Sequence, residues 1–143
     1  LLGYCVTANS DLLQKIRSSI PVWNINTIAE YFLTQLYPTD ELYHVARKQV
    51  IADVHYLYTE LKQITGFFVY PTGSNFVLIR IECGVAAKDL QRLLLEDYYL
   101  YVRDCSNKIG LDNFHIRVAS QGKDKDSLLI AALQQISNQY KKA

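Results

Sequence analysis

Up to Gly66 the apolar residues of this chain recur at helical spacing. Leu12, Leu13, Ile16 and Ile20 mark a first helix. Asn9 or Ser10 can cap it, and Pro21 cannot continue it. Ile28, Ala29, Tyr31, Phe32, Leu33, Leu36 and Tyr37 cover most sides of a second helix, so burial from several directions is expected. Thr27 and Glu30 before it have capping-box spacing, and Pro38 ends it. Thr39 is placed to cap a third helix, with Asp40 and Glu41 in its first turn, where the helix dipole favours acids. Val50, Val54, Leu57, Leu61 and Ile64 form one stripe along that helix, about 25 residues long. Gly66 is the expected stop.

Beyond Gly66 the period shortens. Strands are expected at 67–70, 75–82, 99–105 and 114–120, with a turn at 71–74 and a polar loop around Asn107, Gly110 and Asp112. Helices are expected at 86–97 and 123–140, the second with Asp124 and Asp126 at its start and Lys141 and Lys142 at its end. This order predicts an α+β fold: a small, mainly antiparallel sheet with helices packed on one face. Residues 1–7 read as a buried strand without a sequence-adjacent partner, so they should belong to another, missing sheet. No boundary is expected inside 8–143.

Composition narrows the function classes. The chain has 143 residues, 50% of them hydrophobic and 20% charged, enough for one domain with a real core and too apolar for disorder. Fifteen Lys and Arg against 14 Asp and Glu give a net charge of +1, no footprint for nucleic acid or an anionic membrane. No apolar run approaches the roughly 20 residues that span a bilayer. Cys5, Cys83 and Cys105 are odd in number and far apart, which suits reduced thiols in a cytoplasmic protein better than a disulfide framework or a zinc site. The chain has no Met and opens Leu1-Leu2-Gly3-Tyr4, as a segment of a longer polypeptide would.

Among residues that can do chemistry, His44 and His55 share a helix face but stand about three turns apart, too far for one metal ion. The tyrosines fall mostly at core-like helical positions, and every lysine falls on a helix, a helix end or a polar loop. The arginines are more informative. Arg103 and Arg117 each interrupt an apolar strand, where an unpaired cation is costly. Either they pair with Asp104, Glu82 or Asp112, or both face a cleft and bind a substrate anion. His115 alternates with Arg117 and points the same way.

Five short motifs in order give a resemblance. They are Leu2-Gly3-Tyr4; Pro21-Val22-Trp23-Asn24-Ile25-Asn26 followed by Ala29; Gly73-Ser74-Asn75-Phe76-Val77-Leu78; Val102-Arg103-Asp104-Cys105-Ser106; and Ile116-Arg117-Val118-Ala119. Together they resemble the C-terminal part of fold-type I pyridoxal-phosphate enzymes, in the branch of histidinol-phosphate aminotransferase and threonine-phosphate decarboxylase. The resemblance implies that residues 1–7 are the last strand of a missing large cofactor-binding domain and that 8–143 are the small, substrate-clamping domain. It implies that Arg117 holds the substrate α-carboxylate and that Arg103 faces the same anion or its phosphate. Trp23, Asn26 and Asn75 become candidates for lining the active site.

The cofactor-binding lysine lies upstream in the family, and the family's arginine before x-Gly-Tyr falls here at Leu1. Pyridoxal phosphate is therefore expected in the full-length parent and not on this chain alone. The chain alone should then be inactive, with no catalytic residue and no metal of its own. The implied partners are the large domain, an amino-acid or 2-oxo-acid substrate and a second copy in a homodimer. Similar tails also occur behind a fused nucleotidyltransferase domain. His115 departs from the family, where an apolar residue is usual. The leading expectation is an aminotransferase domain; the alternatives are a decarboxylase of the same fold and a stand-alone α+β ligand-binding or regulatory domain.

Overall fold

A computed structural model describes residues 5–22, 24–36 and 40–140. Its elements are α1 (Ser10–Ser19), α2 (Thr27–Leu36), α3 (Asp40–Leu61), β1 (Phe67–Val69), β2 (Phe76–Ile81), α4 (Ala87–Tyr98), β3 (Arg103–Asp104), β4 (His115–Ala119) and α5 (Lys123–Tyr140). From residue 8 onward, element types and order match the sequence pattern. The chain groups into two compact units, Leu1–Val45 and Ala46–Ala143, so the division falls inside α3, in a stretch where no boundary was expected.

In the first unit, short polar side chains set the helix starts. Asn9 caps α1: its side chain accepts the Leu12 N–H at 2.9 Å. At the other end, Ile20 is already extended (φ −74, ψ 125), as a residue before proline must be. The cap of α2 is Asn26, whose Oδ1 accepts the Ala29 N–H at 2.9 Å. Thr27 is thus the first helical residue and not the cap, a correction to the capping-box reading; asparagine is at least as good an N-cap as threonine. A second correction concerns burial. No residue of α2 is buried, and Ile28 and Phe32 are 83% and 56% exposed. The apolar residues that cover most of its sides are thus left largely at the surface. Residues 5–7 form no strand. Residues 1–4, the Thr39 cap and the two terminal lysines lie outside the described residues.

The second unit is built on a four-stranded antiparallel sheet in the order β1-β2-β4-β3. Val77 pairs with Val118, Ile79 with Ile116 and Phe67 with Ile81, and all six are buried on one face. Against that face lie Leu57 and Leu61 of α3, Leu90 and Leu94 of α4, and Leu133 and Ile136 of α5, all fully buried in one core. The expected stripe of α3 therefore enters the core from Val54 onward, while Val50 stays 46% exposed. The alternate residues face outward; Phe68, Arg80, Arg103 and Ala119 are exposed there.

The strand expected at 99–105 shrinks to Arg103–Asp104. Tyr99 ends α4 in the left-handed region (φ 56, ψ 30), and both its N–H and that of Leu100 close onto the Leu94 carbonyl. The chain must unwind from that turn before it can pair. Among the described residues Tyr99 is the only non-glycine with positive φ. For an L-residue with a Cβ this conformation costs about 1–2 kcal/mol.

Gly66 closes α3's exit at φ +90, and its carbonyl accepts the N–H groups of Glu82 and Cys83 at 2.8 and 3.1 Å. A Cβ there would stand 3.0 Å from the Cys83 Cβ. Gly66→Ala should therefore lower unfolding free energy by about 1–3 kcal/mol in denaturant titration. Gly73→Ala, whose Cβ would meet nothing within 4 Å, should leave it within about 0.5 kcal/mol.

Candidate functional site

Arg103 and Arg117 are register partners across the β3–β4 ladder, so their side chains leave the sheet on the same outer face. Like charges directly opposite each other are unfavourable. The three carboxylates that could have neutralised them are engaged elsewhere. Asp104 accepts the Ser106 N–H at 2.8 Å and the Ser106 hydroxyl at 2.9 Å. Glu82 pairs with Arg80. Asp112 meets His115 Nδ1 at 2.7 Å and accepts the Phe114 N–H at 2.9 Å. Among the described residues neither arginine has a carboxylate partner. Arg117 is half-buried and lies over the Phe76 ring, 4.6 Å from its centroid, while Arg103 is exposed.

Both arginines line one cleft of about 760 Å³, together with Tyr99, Tyr101, Gln121 and Lys125. The acid on its wall, Asp126, is 2% exposed and fully occupied. It accepts the Ser120 hydroxyl at 2.6 Å and the Gln121 N–H at 2.9 Å, tying the end of β4 to the start of α5. Asp126 thus braces the strand that carries Arg117 and leaves the cations of the cleft unneutralised.

The other candidates fall differently. Asn75 lies outside the cleft lining; its carbonyl accepts the Ser120 N–H at 3.3 Å. Asn26 serves α2 as its cap. Trp23 lies outside the described residues. His44 and His55 are exposed on α3, and among the described residues no group of three or more His, Cys, Asp or Glu could hold a metal ion. His115 gains a structural account. It is 6% exposed, with Nδ1 on Asp112 and Nε2 3.3 Å from the Tyr70 hydroxyl. The imidazole can be buried here because both its nitrogens find partners.

Sequence reasoning missed Tyr99, Tyr101, Gln121 and Lys125 as cleft residues. A tyrosine just after a helix, where glycine is the common choice, was the available signal for Tyr99. The others carried none, because surface Tyr, Gln and Lys are ordinary.

With this geometry in view the relationships are clear. The profile of the family "Aminotransferase class I and II" matches residues 2–130, and the chain belongs to that family. It is 34% identical over 117 residues to an L-serine phosphate decarboxylase of Sulfurospirillum multivorans, covering 80% of this chain and 30% of that protein. It is 30% identical to a threonine-phosphate decarboxylase of Salmonella typhimurium, covering 94% of this chain and 36% of that one. Its fold superposes on a histidinol-phosphate aminotransferase of Clostridium acetobutylicum with a TM-score of 0.76 at 27% identity, covering 93% of this chain and 40% of the other. The chain spans about a third of the length of these relatives.

The family depends on pyridoxal phosphate, and the described residues do not fit that cofactor. Lys15, Lys48, Lys62, Lys88, Lys108, Lys123 and Lys125 are all exposed, none in the desolvated setting that a cofactor-binding lysine requires.

Asp112 supplies a pH test. The Phe114 N–H, then the His115 hydrogen bond, hold its carboxyl below the usual range. A depressed folded-state pKa contributes stability that is complete above the unfolded value, about 3.9, and is lost as pH falls through the folded value. Asp112→Asn should flatten the melting temperature's dependence on pH below about 4.

Proposed function

We propose that this chain is the substrate-clamping domain of a pyridoxal-phosphate enzyme acting on a phosphorylated amino acid. The observation that carries the reading is the arginine pair: two guanidiniums in register, with every neighbouring carboxylate engaged elsewhere. Arg117 takes the α-carboxylate as a two-pronged donor and Arg103 takes the second anionic group. Holding the substrate at both ends fixes the orientation of its α-carbon bonds, a positioning contribution to rate. Residues 1–7 close the large domain, 8–143 form the small domain, and the large domain supplies the cofactor-binding lysine. When bound, the cofactor acts as the electron sink for bond breaking at the α-carbon.

Decarboxylation is the reaction we favour. It is supported by the names of the relatives at 30% identity or more and by Arg103-Asp104-Cys105-Ser106. Transamination is the second reading, supported by the likeness to histidinol-phosphate aminotransferase. A homodimer in the cytoplasm completes the proposal; the free thiols of Cys5, Cys83 and Cys105 suit a reducing compartment.

In the full-length enzyme, Arg117→Lys keeps the charge and loses the fork. The expected loss is about 2–4 kcal/mol of transition-state stabilisation, a fall of roughly 30- to 1000-fold in kcat/KM, with little change in melting temperature. Arg103→Lys should do less harm. A large drop in melting temperature with normal turnover per folded molecule would mean that Arg117 is a structural cation. Carbon dioxide release from O-phospho-L-serine or O-phospho-L-threonine, against amino transfer to a 2-oxo acid, separates the two reactions.

The 143-residue chain alone should not retain pyridoxal phosphate. After incubation, borohydride reduction and removal of excess cofactor, mass spectrometry should find no single lysine labelled stoichiometrically.

A further inference from the structure

We propose that Tyr99 is a specificity-determining wall of the arginine cleft, packing its ring on the carbon skeleton that joins the two anionic groups of the ligand. This rests on the clamp reading above.

Three observations lead to it. Tyr99 holds φ 56 at a helix end where glycine would sit without a Cβ penalty. Its ring gives nothing to the core in return, because the residue is 89% exposed. And it lines the cleft that holds Arg103 and Arg117. A bulky residue kept in a conformation that disfavours it, without burial, at the wall of a ligand-sized cleft, points to a role in ligand contact.

The local geometry explains why the position matters. Leu100 packs against the core and Val102 is 3% exposed, its carbonyl held by the Gln91 side-chain amide at 2.6 Å. The residues between and beside them, Tyr99, Tyr101 and Arg103, are turned outward. Tyr101 is 72% exposed. The left-handed turn at Tyr99 thus sets an aromatic rim on the segment that leads directly into the arginine pair. Guanidiniums recognise the anions at each end of a ligand and read little of what joins them. An apolar ring face is suited to a short methylene chain, so it supplies the discrimination that the cations lack.

The test is calorimetry on the natural-length polypeptide with two probes, O-phospho-L-serine and inorganic phosphate, alongside thermal melting. Tyr99→Gly should raise the melting temperature by about 2–4 °C by relieving the left-handed strain. It should weaken O-phospho-L-serine roughly tenfold, about 1.4 kcal/mol, and change the Kd of inorganic phosphate, which has no carbon skeleton, by less than about twofold. Tyr99→Phe, which keeps the ring face, should bind both probes within about twofold of the parent.

Unchanged O-phospho-L-serine binding in Tyr99→Gly would overturn the inference and leave the clamp intact. So would equal weakening of both probes, which would place the effect on the arginines, or a fall in melting temperature, which would make the ring structural. If the parent polypeptide binds neither probe, or if Arg117→Lys binds both as the parent does, the clamp reading falls and this inference falls with it.

Discussion

With Val77 opposite Val118 and Ile79 opposite Ile116, β2 and β4 turn their β-branched side chains toward α3, α4 and α5 and their alternate residues outward. Side chains alternate with a period of two, so a slip of one residue would drive Arg117 into the core and expose Ile116 and Val118. Burial of that apolar face specifies the register. The same register brings Arg117 to the outer face, and the β3–β4 pairing sets Arg103 beside it. The side-by-side placement of the two arginines is a by-product of the packing of the core.

Two like charges side by side on a sheet are a liability unless something anionic comes between them. The surrounding acids have other duties. Asp104 organises the turn after β3, Glu82 holds Arg80, Asp112 orients His115, and Asp126 clasps the β4–α5 turn. The acids stabilise the frame, and among the described residues neither arginine has a carboxylate partner. The chain belongs to the family that also holds aminotransferases and phosphoamino-acid decarboxylases.

Local preference and site geometry pull apart at the end of α4. The helix closes through Tyr99 in a left-handed turn, which shortens the expected strand to two residues. Consistency across levels is the rule in folded proteins, and departures from it gather where a side chain has work beyond folding. α2 is a departure of a different kind. It is apolar on most of its sides, and none of its residues is buried.

The amino-acid pattern determined the element types and order, the open-faced α+β sheet and the core stripe from Val54 to Ile64, because period and turn chemistry are local properties. It also singled out Arg103 and Arg117, because a cation in an apolar strand violates that pattern. It left open whether an acid neutralises them, for Asp104, Glu82 and Asp112 are all near in sequence or plausible in register, and only tertiary hydrogen bonding assigns each to another partner. The partners of His115 were hidden for the same reason: Tyr70 lies on β1's exit, and its hydroxyl reaches the imidazole only once β2 pairs with both β1 and β4. The cap of α2 was misassigned by one residue because Asn26 and Thr27 are both good N-caps and backbone geometry chooses between them. Tyr99, Tyr101 and Lys125 became cleft residues only through the folded chain. Their identities are common on any surface, and what distinguishes them is where the left-handed turn and the start of α5 bring them relative to the arginine pair.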